Sequence, residues 1–98
     1  EIPKYPSIIK DVAFIVNKSV SSIEIEKVIK KIGGRLLTDV NVFDVYEGEN
    51  IGENNKSIAY SLTFQDANKT LTDEEVTVVF NKIIEEVQKQ ISGEVRDK

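Results

Sequence analysis

From Asp11 to Val16 the chain reads Asp-Val-Ala-Phe-Ile-Val, rich in β-branched and aromatic residues and bounded by Pro6 before and Asn17-Lys18-Ser19 after. That pattern predicts a central strand. The period then changes. Ile25, Val28, Ile29 and Ile32 recur at i, i+3, i+4 and i+7, one face of a helix. Ser21 stands as N-cap with Glu24 three residues on, a capping box. Lys27, Lys30 and Lys31 fall in the last turns, where cations suit the helix dipole, and Gly33-Gly34 supplies the stop. Leu36 to Tyr46 predicts a long strand, with Val40 and Val42 alternating against Asp39 and Asn41. Glu47 to Asn55 is polar and glycine-containing, a surface loop.

The clearest alternation runs from Ser57 to Gln65. Ile58, Tyr60, Leu62 and Phe64 alternate there with Ser57, Ala59, Ser61, Thr63 and Gln65. A second capping box, Thr72-Asp73-Glu74-Glu75, opens a helix striped by Val76, Val79, Phe80, Ile83, Ile84, Val87 and Ile91. Gly93 ends it, and Glu94-Val95-Arg96 predicts a short last strand. The order β-α-β-β-α-β is the split βαβ, ferredoxin-like plan. The expected fold is therefore α+β: a βαββαβ sandwich with two helices on one face of a four-stranded antiparallel sheet. Residues 1–98 make a single domain by length.

Composition narrows the chemistry. There is no Cys and no His, so thiol nucleophiles, histidine bases and ordinary zinc sites are excluded within these residues. No glycine-rich phosphate loop is present, and no catalytic constellation is recognisable. Asp11, Asp44 and Asp66 sit on separate predicted segments and read as turn or capping carboxylates rather than a metal loop. A net charge of −4 argues against a strongly cationic nucleic-acid surface. No apolar run approaches the roughly 20 residues of a membrane helix. Lacking Met even at position 1, the sequence reads as a piece of a longer protein.

Several stretches resemble one family. Tyr5 to Ala13 (YPSIIKDVA) is similar to its "P-S-x-x-R-D-[LIV]-A" opening, and Gly33-Gly34 before Leu36-Leu37 to its "G-G-x-L-L". Val42 to Gly48 resembles "F-D-V-Y-x-G". Lys56 to Asp66, followed by Thr70 to Val76, resembles "K-S-[LI]-A-[FY]-x-L-T-F-x-D…T-L-T-D-E-E-V". The family is the anticodon-binding, ferredoxin-like domain at the C-terminus of the bacterial phenylalanyl-tRNA synthetase β chain. The resemblance implies an accessory domain that reaches the anticodon stem-loop of tRNA(Phe) and positions it for aminoacylation carried out elsewhere. It implies a cytoplasmic (αβ)₂ heterotetramer with the rest of the β chain and the α chain as partners. ATP and Mg²⁺ are implied for that parent, and no cofactor for this domain.

Strand parity directs Ile58, Tyr60, Leu62 and Phe64 to the helices and leaves Ser57, Ala59, Ser61, Thr63 and Gln65 on an open face. By the same logic Val12, Phe14 and Val16 turn inward, and Asp11, Ala13 and Ile15 outward. Candidate RNA contacts are Ser61, Thr63 and Gln65 on that face, Phe43 as its one aromatic, and the cations Lys4, Lys10, Lys56 and Arg96 near strand ends. Many members of the family carry Arg where this chain has Lys10, Ser61 and Gln65, which implies weak RNA affinity for the domain alone. An alternative is a protein-interaction or regulatory ferredoxin-like module, motivated by Ala13, Ile15 and Ala59 on the same face.

Overall fold

A computed structural model describes residues 5–91 and the backbone of Glu94 and Val95. Lys4, Gly93 and Arg96 lie outside the described residues. Three ten-residue strands, β1 (Ile8–Asn17), β2 (Leu37–Tyr46) and β3 (Asn55–Phe64), lie in the order β2-β3-β1 with β3 antiparallel to both neighbours. β1 and β2 are thus parallel with β3 between them, the split arrangement. Helix α1 (Ser22–Gly33) joins β1 to β2, and α2 (Asp73–Ile91) follows β3. The pair Glu94–Val95, β4, bridges antiparallel to the outer edge of β1 opposite Ile15 and Phe14.

Local chemistry sets the helix ends. Glu24 N–H donates to Ser21 Oγ at 3.2 Å, the first half of the expected box. At α2 the box is reciprocal: Glu75 N–H donates to Thr72 Oγ1 and Thr72 N–H to Glu75 Oε1, at 3.2 and 3.1 Å. α1 stops at Gly34, whose φ of +60° a side-chain-bearing residue rarely adopts, and whose N–H donates to the Lys30 carbonyl. A single 3-10 turn, Gly34–Leu36, then delivers the chain to β2.

Burial follows parity. Val12, Phe14, Val16, Ile58, Tyr60, Leu62 and Phe64 form one core with Ile25 and Ile29 of α1 and Val76, Ile83 and Val87 of α2. Each such side chain contributes about 1.5–3 kcal/mol by leaving water. Both helices therefore cover the same face, and the other face stays open. Tyr60 is fully buried, and its hydroxyl donates to the Ser22 carbonyl at 3.0 Å, pinning β3 to the first turn of α1.

β2 departs from simple alternation. Its aliphatic residues fall at Leu37, Val40, Val42 and Val45, spacings that no strict period of two can place on one side. Two one-residue bulges resolve the conflict. Thr38 and Phe43 drop out of register, so Leu37, Val40, Val42 and Val45 sit opposite the inward-facing Phe64, Leu62, Tyr60 and Ile58. At this edge the helices cover Leu37 and Val40 only partly, and Val45 stays 53% exposed.

Candidate functional site

The register assembles the open face row by row. Asp39, Thr63 and Ile9 stand side by side, then Asn41, Ser61 and Asp11, then Asp44, Ala59 and Ala13, then Tyr46, Ser57 and Ile15. Directly opposed residues share a face with Cβ atoms roughly 5 Å apart, so these rows make one continuous surface. Asn41 Nδ2 donates to Asp39 Oδ2 at 2.6 Å along the β2 side. Among the described positions of this face there is no Lys or Arg, whereas Asp11, Asp39 and Asp44 are all exposed. The face offers hydrogen-bond acceptors, hydroxyls and small apolar floor, and it lacks phosphate-binding charge.

Ser61 and Thr63 lie in the middle of this surface, half-buried, as strand parity predicts. Gln65 lies just past the end of β3 and is already engaged: its amide donates to the Tyr5 carbonyl, tying the leading segment to the sheet end. Ser57 has the outward register but is only 2% exposed, so it is floor rather than contact surface. Lys10 and Lys56 are opposite Leu62 and Val16, on the helix-side register and not on the open face. Six residues of β1 separate them, about 20 Å at the rise of an extended strand, so they do not form one patch. Lys4 and Arg96 lie outside the described residues.

Phe43 requires a correction. It occupies the second bulge of β2, 58% exposed at the sheet edge, and is not an in-register member of the open face. The extra residue it inserts shifts the phase of everything after it. Asp44 and Tyr46 consequently take open-face positions, so Tyr46 is the in-register aromatic of that face. Simple alternation from Val40 and Val42 sends both inward, and for that reason sequence reasoning missed them; Asp39 and Asn41 take the outward positions that alternation gives them, although they were not among the candidate contacts. The signal was present in the uneven apolar spacing of β2. Tyr46 is half-buried and folds back on Gly48, where an added Cβ would collide with the phenol oxygen.

The Asp residues separate as well. Asp66 is 4% exposed, accepts from Asn68 N–H at 2.8 Å in an Asx turn, and receives Arg35 Nη1 at 3.5 Å. It is a turn carboxylate with a guanidinium beside it. Among the described residues no group of carboxylates is placed to hold a metal ion. Lys69 bonds Glu75 in the α2 cap, and this contact together with the Thr72 N–H holds the Glu75 carboxyl below its usual range. These groups serve the fold, and none of them lies in the rows of the open face.

Comparison with known proteins agrees with this geometry. The sequence profile described as "Ferredoxin-fold anticodon binding domain" matches residues 3–96. The chain is 44% identical over 95 residues to the phenylalanine–tRNA ligase beta subunit of Listeria monocytogenes, covering 97% of this chain and 12% of that protein. It is 48% identical over 87 residues to that of Bacillus subtilis, covering 89% of this chain and 11% of the relative. Against that of Clostridium acetobutylicum the identity is 40% over 95 residues, covering 97% and 12%. The chain thus spans about 12% of the length of such relatives. With two helices on one side of an antiparallel sheet and the other side left open, it belongs to the ferredoxin-fold anticodon-binding domain family.

Proposed function

We propose that this domain binds the anticodon stem-loop of tRNA(Phe) on the open face of its sheet and positions the tRNA for a ligase reaction performed elsewhere. The supporting observation is the continuous polar surface of Asp39, Asn41, Asp44, Tyr46, Ser61 and Thr63 across β2 and β3, on the sheet face opposite the two helices. Single-stranded loops present splayed bases that stack on aromatic rings and hydrogen-bond along their edges. Carboxylates and amides suit amino and imino groups of bases, and Tyr46 offers a ring. Phosphate contacts fall to the strand-end cations Lys10 and Lys56, with Lys4 and Arg96, outside the described residues, as further candidates. Phe43 lies at the β2 edge as an auxiliary stacking site.

In this reading residues 1–98 are one domain of a longer β chain. The partners are the remainder of that chain and the α chain of a cytoplasmic (αβ)₂ ligase that uses ATP and Mg²⁺ at a distant site. The bridge at Glu94–Val95 supports reading the sheet as the four-stranded ferredoxin-like βαββαβ plan. Among the described residues no helix is long and apolar enough to cross a membrane.

The test is titration of the chain with a tRNA(Phe) anticodon stem-loop across a salt series. Binding with a shallow dependence on salt supports the proposal, since few phosphates are neutralised. No binding at low salt, together with full tRNA affinity in a synthetase lacking the domain, refutes it. A second reading draws on the exposed Val42, Phe43 and Val45 at the β2 edge: a protein-interaction module that self-associates through that strand. Sedimentation showing a monomer at high concentration excludes it.

A further inference from the structure

The two helices leave part of the sheet face they pack on uncovered. Val42 and Val45 take the helix-side register opposite Tyr60 and Ile58, yet they are 37% and 53% exposed where Tyr60 and Ile58 are buried. The reason lies in α1. One flank of this helix carries Val28 and Ile32, packed against the core. At 3.6 residues per turn the other flank carries Ile23, Glu26 and Lys30. The Tyr60 hydroxyl donates to the Ser22 carbonyl and feels the charge of Glu26, so this second flank is the one turned toward β3 and β2. It is polar where a covering helix would be apolar. A groove therefore remains between α1 and the β2 edge, with Ile23, 61% exposed, on one wall, Val42 and Val45 on the other, and Phe43 on the rim.

The charges around this groove are already matched. Lys30 pairs with Glu26 at 4.0 Å, and past Val45 Lys18 pairs with Glu47 at 3.3 Å. An aliphatic centre inside a neutralised border suits a protein surface and not a phosphate chain. The bulges at Thr38 and Phe43 interrupt the edge that an added strand has to pair with, which disfavours a strand as occupant. The four apolar side chains expose roughly 400 Å², the size of the largest patch on an ordinary monomer. That is half of the roughly 800 Å² per partner that a stable complex of separate proteins buries. Too small to hold a second copy, the patch suffices for a neighbour on the same polypeptide, whose effective concentration is millimolar. We propose that the groove between α1 and β2 seats an uncharged apolar face of another domain of the same β chain. The proposal rests on the reading of residues 1–98 as one domain of a longer chain, since the matched relatives are mostly other sequence. Gln65 ties the leading segment at Tyr5 to the Phe64 end of the sheet, whereas Val45 stands opposite Ile58, six residues back along β3 and about 20 Å away. One attachment leaves a domain free to swivel; a second at that distance fixes the direction in which the open face points.

The test uses the full-length β chain carrying these residues, purified with its α chain. A photoreactive diazirine amino acid replaces Ile23 and, in a separate control, the exposed Gln88 of α2. On irradiation position 23 is expected to join a β-chain peptide outside residues 1–98, in a product that keeps the mass of one β chain, and position 88 is not. Val45→Glu places an unpaired charge in the groove and is expected to lower that yield by about tenfold. Val45→Ile, which keeps the groove apolar, is expected to retain it, with the thermal melt of each variant confirming folding. Three results overturn the proposal: no product at position 23 above that at position 88, a product joined to the α chain, a second β chain or tRNA, or a yield that Val45→Glu leaves unchanged. A full-length protein that lacks an α chain and phenylalanine–tRNA ligase activity refutes the parent reading instead, separately from the groove.

Discussion

Replacing Tyr60 with Phe removes one hydroxyl from the middle of the core and nothing else. The ring is fully buried and packs tilted against Phe14, with centroids 6.3 Å apart, so the apolar contact survives. What is lost is the 3.0 Å bond to the Ser22 carbonyl. The net value of such a bond is about 1 kcal/mol, which for a domain of this size lowers Tm by roughly 4–8 °C. Tyr60→Ala, by contrast, empties the site and costs about 3–5 kcal/mol, a large part of a typical total of roughly 5–15 kcal/mol. The phenol adds a pH signature. Burial, and secondarily the charge of Glu26, hold it above its ordinary value of 10.0. The folded chain therefore keeps this proton more tightly than the unfolded chain does. That contribution is fully present below pH 10.0 and drains away as the pH rises beyond it, at up to about 1.4 kcal/mol per pH unit. Urea unfolding followed by far-ultraviolet circular dichroism at about pH 7, 9 and 11, values that bracket the free phenol, reads both effects. The wild type is expected to lead Tyr60→Phe by about 1 kcal/mol at the lower two values. At the highest the lead shrinks or reverses. A gap that stays constant across the series, or none at neutral pH, refutes the assignment of this hydroxyl to a buried bond.

Three further outcomes follow from particular residues. Thr72→Ala breaks the reciprocal cap of α2 and is expected to lower stability by about 1 kcal/mol in the same unfolding assay. Gly48→Ala forces the Tyr46 ring off its seat; it is expected to weaken stem-loop binding several-fold while moving the thermal melt little. With no cation on the described open face, the slope of log affinity against log salt is expected to be no steeper than about −1.5, the equivalent of roughly two neutralised phosphates.

The elements with an even period are legible in the amino-acid sequence itself. β3 alternates strictly, and every large residue of its set is buried. The Ser21 cap of α1 and the full Thr72–Glu75 box of α2 form where their residues stand, because those bonds are local and depend on a four-residue window. β2 is not legible in the same way. Its apolar residues fit neither period alone, and the two bulges that reconcile them depend on pairing with β3. The consequence reaches the site: simple alternation puts Phe43 on the open face and leaves Tyr46 off it. Lys10 and Lys56 stand out by charge, yet their parity with Val12 and Ile58 places them on the helix side. Gln65 gives no local sign of its bond to Tyr5, a contact sixty residues apart in the chain.

Which surface meets RNA is read most directly by amide shift mapping of the isotope-labelled chain during titration with the tRNA(Phe) anticodon stem-loop. The largest changes are expected along the open-face rows, at Ala13, Asn41, Asp44, Tyr46, Ala59, Ser61 and Thr63. Changes confined to the helix lysines Lys27, Lys30, Lys31, Lys82 and Lys89, with those rows unmoved, would contradict an RNA-binding open face.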